Sequence, residues 1–175
     1  MNHPKKVVFI GAILFFVASC GGGKAETTQD TSALAATCDV VTDGSCQGAD
    51  LGARDFSGKD LTGVDFRAAH LRGSNFSKAN LTQSNFFGAD LRDVNFTDAI
   101  LVRATLDEAK LEGADLKHAL LTGASLKKAD LLDTNFLGTF ATDANFLGAT
   151  GNETLSGLFL CKTTLPNGTV SGASC

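Results

Sequence analysis

Residues able to do chemistry are few in this chain and badly placed to act together. Its 175 residues include three His, five Cys and 19 Asp or Glu against 15 Lys or Arg. A general base or nucleophile needs its partner within hydrogen-bond reach in a cleft. His70 and His118 fall in different units of a five-residue repeat, at an outward and a corner position respectively, and read as surface side chains. Asp50, Asp55, Asp60 and Asp65, five residues apart, have the spacing of a carboxylate ladder for cations, but Arg54, Lys59 and Arg67 are interspersed with them. The Asn-x-Ser/Thr triplets at Asn75, Asn80 and Asn95 follow from local periodicity and carry no message of their own. No phosphate-binding glycine loop occurs. The sequence therefore predicts no enzyme, no cofactor and no metal. A formal charge of −4 is too mild for a nucleic-acid-binding surface.

The cysteine with a distinct chemical prospect is Cys20. Lys5 and Lys6 precede an apolar run, Val7 to Val17, whose eleven residues fall short of the about 20 that span a bilayer. Val17-Ala18-Ser19-Cys20 resembles the lipobox of bacterial lipoproteins, an aliphatic residue, two small ones and a cysteine. The resemblance implies that residues 1–19 are a cleaved lipoprotein signal and that Cys20 is acylated. Residues 20–48 then form the lipidated end, a flexible tether through Gly21-Gly22-Gly23 and Lys24 to Asp30, and an N-terminal cap with a short helix over 31–37. Two or more acyl chains hold a protein firmly on a membrane. Gly21 rather than Asp after the cysteine is similar to lipoproteins sorted to the outer membrane, which implies an anchored, periplasm-facing protein in a bacterial envelope.

The elements that position everything else come from one repeat. From Leu51 a large apolar residue recurs every five positions to Phe146, twelve Leu, seven Phe and, at 141, one Ala. Two residues before each of these centres the side chain is small or β-branched, except at Arg54 and Lys59; the residue between is often Asp or Asn. Five residues advance an α-helix by 140°, scattering the centres, and on a straight strand an odd period alternates faces. The pattern makes sense only if the chain turns a corner once per repeat, with Gly58, Gly63, Gly73, Gly88, Gly113, Gly123 and Gly138 supplying permissive corners.

Runs such as Ala79-Asn80-Leu81-Thr82-Gln83 and Ala89-Asp90-Leu91-Arg92-Asp93 resemble the pentapeptide repeat family, consensus A(D/N)LXX. The resemblance covers residues 49–148 and implies an all-β fold, a right-handed quadrilateral β-helix of about five coils with capped ends. At strand spacing that is roughly 24 Å of shaft. Leu and Phe would fill the interior, and the ends need capping because stability runs coil to coil. Arg54 and Lys59 predict a ragged first coil, and Ala141 an underfilled last one. Beyond Gly148 the phase slips by one, with Leu155, Leu160 and Leu165 resuming the period, so 149–175 reads as a partial coil and cap turning at Leu165-Pro166-Asn167-Gly168-Thr169. The segment from Leu160 to Cys175 resembles tails on some cyanobacterial members.

Cys38 and Cys46 lie before the shaft, Cys161 and Cys175 beyond it. A disulfide needs Cα atoms within about 7 Å, so the local pairs Cys38–Cys46 and Cys161–Cys175 are favoured and a four-thiolate zinc site is not.

One departure stands out. The slot before the centre holds Ile100, Leu120 and Phe140 where Asp or Asn is usual, near outward Val102. Twenty residues apart, they should stack on one face. Leu158 and Phe159 have no evident place in the shaft, so the expected arrangement has the C-terminal segment folded back over this stripe. The rival is a protein-binding or self-association site. Function then reads as a lipid-anchored, non-catalytic binding or scaffold module of unknown partner. The alternative implied by the family is a DNA-mimicking protector of DNA gyrase. Export and weak charge disfavour it: residues 49–148 carry 14 Asp or Glu and 11 Lys or Arg, a net 14 − 11 = 3 negative, where duplex DNA carries roughly 14 charges over about 24 Å.

Overall fold

The computed structural model of the protein describes residues 44–151 and 155–172. The signal 1–19, Cys20, the tether, the helix expected over 31–37, Cys38 and Cys175 lie outside these residues.

Each five-residue repeat makes one side and one corner of a square. Two residues follow the centre, and positive φ falls on the second of them in every repeat from Gly48 to Gly148, between 53° at Ala53 and 74° at Gly138. In many repeats the N–H three after the centre donates back to the centre's carbonyl, as Ala79 N to Phe76 O at 3.0 Å. That is the arrangement of a type II β-turn. Glycine takes this conformation freely; residues such as Lys78, Glu108 and Asp143 hold it at about 1–2 kcal/mol each. What over-determines these corners is the coil above. The centre and the corner each donate to a carbonyl nineteen residues on, as Phe56 N to Asn75 O at 2.7 Å and Gly58 N to Ser77 O at 2.9 Å.

Parallel bridges join residues twenty apart, Asp55 to Asn75 to Asn95 to Asp115 to Asn135 on one side and three equivalent series on the others. Four pentapeptides therefore complete each coil, so the shaft is four-sided. Continuous strand is scarce. Among the described residues only β1 (Thr139–Phe140) and β2 (Leu158–Phe159) form regular strands, paired in parallel. Two turn residues in every five leave room for only a single bridge per side.

The interior is dry and stacked. Phe56, Phe76 and Phe96 lie in one column with centroids 4.7 and 5.4 Å apart, Phe66 and Phe86 in the opposite column at 4.9 Å. Rings of opposite columns meet edge to face at 5.8–6.3 Å, a favoured aromatic geometry. Leu106, Leu116 and Leu126 interrupt the columns before Phe136 and Phe146 resume them. Where a hydroxyl takes a small slot it finds an acceptor, since an unpaired buried one would be costly. Ser74 Oγ donates to Leu51 O and Leu71 O, and Thr139 Oγ1 to Leu116 O.

The ends differ from expectation in three ways. Coiling is already present at Ser45, which bridges to Asp65, and Cys46 stands buried in a centre position, one repeat before 49. Arg54 is half-buried and Lys59 exposed, so the first coil keeps its backbone register while its sides open. At the other end Leu158 and Phe159 do have a place. As β2 they continue the coil against β1, and Asn145 bridges to Thr164, an offset of nineteen in place of twenty. The one-residue slip in the sequence is thus a coil shortened by one residue. The expectation that this segment folds back over the stripe is corrected: its backbone is committed to the next coil, with Ala141 N donating to Phe159 O at 3.0 Å. The underfilled Ala141 is fully buried beneath Thr163, whose hydroxyl donates to the Ala141 carbonyl. The chain then turns at 165–169, where Leu165 N donates to Thr169 O, and Val170 pairs antiparallel with Thr164 across the open edge.

Candidate interaction surface

A filled shaft can meet other molecules only through its outer faces, and each face is led by one ladder of residues from the slot before the centre. Where that residue is Asp or Asn, its oxygen accepts the backbone N–H two residues on: Ser57 N to Asp55, Thr82 N to Asn80, Thr97 N to Asn95. The same side chains link successive coils, as Asn75 Nδ2 donates to Asp55 Oδ1 at 3.1 Å and Asn80 Nδ2 to Asp60 Oδ1 at 3.2 Å. This double duty explains the residue choice without invoking function. Even where the slot holds Ser125, Asp107 from the coil before accepts both the Ser125 hydroxyl and Lys127 N.

Electrostatics follows the same local pattern. The Arg67 guanidinium hydrogen-bonded to Asp65 holds that carboxyl below its ordinary range, and Arg92 does the same for Asp90. Asp55 is lowered chiefly by the Ser57 N–H and Asp60 by the Thr62 hydroxyl. Carboxylates are thus spent on turns and arginines. Among the described residues no group of three or more His, Cys, Asp or Glu is placed to hold a metal ion. His70 lies exposed in a ladder between Asp50 and Asp90, and His118 at a corner with Nδ1 3.6 Å from Asp98 Oδ1. The two share no cleft. Among the described residues no helix is long and apolar enough to cross a membrane.

The face that breaks the pattern runs Asp60, Asn80, Ile100, Leu120, Phe140, Phe159. The first two rungs are polar; the next four are 36%, 38%, 46% and 58% exposed. The structure therefore brings together the three residues singled out in the sequence and adds Phe159, stacked on Phe140 at 4.8 Å. Val102 sits half-buried just after Ile100. Phe159 was concealed by the phase slip, although its spacing of nineteen from Phe140 was a signal for it. Ile, Leu and Phe have no oxygen to accept the N–H of Val102, Thr122 or Thr142, so this face gives up the turn contact kept at Asn80. Phe87, Leu132, Leu137 and Leu147 are also exposed, each one residue after its centre.

Cys46 and Cys161 are both disulfide-bonded. The pairings read from the sequence involve Cys38 and Cys175, outside the described residues.

A family model described as pentapeptide repeats matches residues 45–83 and 84–123, in eight copies. No curated protein matches the chain. Similar solved structures include a trypsin-treated form of QnrB1, a plasmid-mediated fluoroquinolone resistance protein, at 18% identity and TM-score 0.37, covering 60% of this chain and 58% of that one. HetL, a pentapeptide repeat protein involved in heterocyst differentiation regulation from the cyanobacterium Nostoc sp. strain PCC 7120, matches at 20% identity and TM-score 0.29, over 80% of this chain and 97% of its own. A pentapeptide repeat protein of the Arabidopsis thaliana thylakoid lumen matches at 27% identity and TM-score 0.30, over 59% and 69%. The match thus spans little more than half the length of that trypsin-treated QnrB1 chain.

Proposed function

We propose that this chain is a pentapeptide repeat protein, a right-handed β-helix of about five coils, acting as a non-catalytic binding or scaffold rod held to a bacterial envelope membrane by lipid on Cys20. Disulfides Cys38–Cys46 and Cys161–Cys175 would close its two ends. The observation that carries the binding role is the filled interior, with centres from Leu51 to Phe146 buried, which leaves the outer faces as the surface another molecule can meet. Anchoring is supported by Val17-Ala18-Ser19-Cys20 and the glycine tether behind it.

Fractionation of cells expressing the full chain tests this reading. The protein partitions with membranes and takes up a fatty-acid label, and Cys20→Ser abolishes both. Cytosolic, unlabelled wild-type protein overturns the anchoring. The gyrase alternative has weaker support, because charge along the faces is mixed, as in Asp50, His70, Asp90, Lys110 and Asp130. Protection of gyrase in a supercoiling assay would reinstate it.

A further inference from the structure

The four-rung apolar stripe departs from the residue choice that serves the turns and coil links on the other rungs. At Ile100, Leu120 and Phe140 the usual Asp or Asn would add a turn hydrogen bond and a link between coils, as Asn80 does to Thr82 and Asp60. Apolar residues there forgo both and leave hydrocarbon exposed on a face that the rest of the described chain does not cover. The C-terminal segment is committed to the next coil and its antiparallel cap.

We propose that the stripe is the contact between two copies of this chain, lying side by side and parallel. A two-fold axis along the rod sets each rung against the same rung of the other copy, Ile100 on Ile100 through Phe159 on Phe159. It also sets the corner before the stripe against the corner after it. At the Ile100 rung those corners are Asp98 and Arg103, both exposed, so the operation forms two identical ion pairs flanking the apolar line. The antiparallel alternative sets Arg103 toward the end carrying Lys162, a like charge. Self-complementarity of one patch is what a two-fold dimer requires. Stable interfaces bury about 800 Å² per partner, more than a line one residue wide supplies. The contact is therefore weak in dilute solution and strengthened wherever copies are held at high local concentration. It does not itself depend on acylation, which would add only that concentration and a shared orientation.

Single cysteines added to the otherwise intact full chain, treated with a short thiol cross-linker both in cell membranes and as purified protein at rising concentration, test the arrangement. Leu120→Cys gives cross-linked dimer at about tenfold the yield of Lys110→Cys on the opposite face, reflecting effective concentration at the contact. Arg103→Asp removes the excess, and Asp98→Arg in the same chain restores it. Equal yields at 120 and 110, a reporter thiol at position 120 shielded from maleimide in the monomer by the chain's own N-terminal residues, or cross-linking only to another protein would each overturn the proposal. So would dimer formed only between Ile100→Cys and Phe159→Cys chains, the antiparallel signature. Fractionation failing while cross-linking succeeds would remove the anchor and leave this contact standing.

Discussion

The early and late coils share one backbone and solve different problems with it. In coils up to Phe96 the buried centres alternate Leu with Phe, the Phe forming two facing columns stacked along the axis and edge to face across it, while the outward slots are nearly all Asp or Asn. From Ile100 on, the buried centres are Leu until Phe136, and hydrocarbon stands outward at Ile100, Leu120, Leu132, Leu137, Phe140 and Leu147. Apart from exposed Phe87, the early half therefore spends its large apolar residues on packing and its polar ones on turns. The late half keeps the same hydrogen-bonded coil while relinquishing some turn contacts to present a surface. A repeat that is structurally over-determined can tolerate such losses, since each rung is held by its neighbours above and below.

The largest test of the comparison lies in the core. Phe76 touches Phe56, Phe66, Phe86 and Phe96, so Phe76→Ala should destabilise by about 3–5 kcal/mol in chemical denaturation. Leu116→Ala, in the same column of the late half, should cost less, about 2–3 kcal/mol. Equal losses would show that aromatic stacking adds nothing beyond burial.

A smaller effect separates the outward slots. Asn80→Leu imitates the late half and should cost about 1 kcal/mol through the lost Thr82 N–H contact and the lost Asp60 link. Leu120→Asn imitates the early half and should leave the monomer unchanged or more stable by up to about 1 kcal/mol. If Leu120→Asn lowers monomer stability, the stripe has a role in the fold after all.

The smallest expected effect is pH dependence. Asp55, Asp60, Asp65 and Asp90, all in the early half, have folded-state pKa values lowered by hydrogen bonds. A lowered carboxyl favours the folded state above its unfolded pKa and loses that contribution as pH falls through the folded one. Stability should thus hold at neutral pH and decline as pH drops below about 4. Asp65→Asn with Asp90→Asn should flatten that acid limb, measured by thermal unfolding across the range.

Much of this was legible in the chain because a five-residue period has so few physical solutions. The centres, the small slots, the corner glycines and the one-residue phase slip after Gly148 all follow from spacing. Cys46 escaped as a centre because it is neither Leu nor Phe, and the corner role of Lys78, Glu108 or Asp143 escaped because side-chain type there does not reveal φ. The place of Phe159 depended on where the single deletion is absorbed, which local pattern does not specify.

The sequence by itself determined that the chain turns every five residues, what fills its interior, and that Ile100, Leu120 and Phe140 depart from the rule. Only the tertiary structure decided what lies over them. Hydrophobicity says that Leu158 and Phe159 prefer company, and two dispositions satisfy that preference. The parallel hydrogen bonds available at the last coil's edge select one of them, setting Phe159 on Phe140 as a further rung and leaving the stripe uncovered by the other described residues.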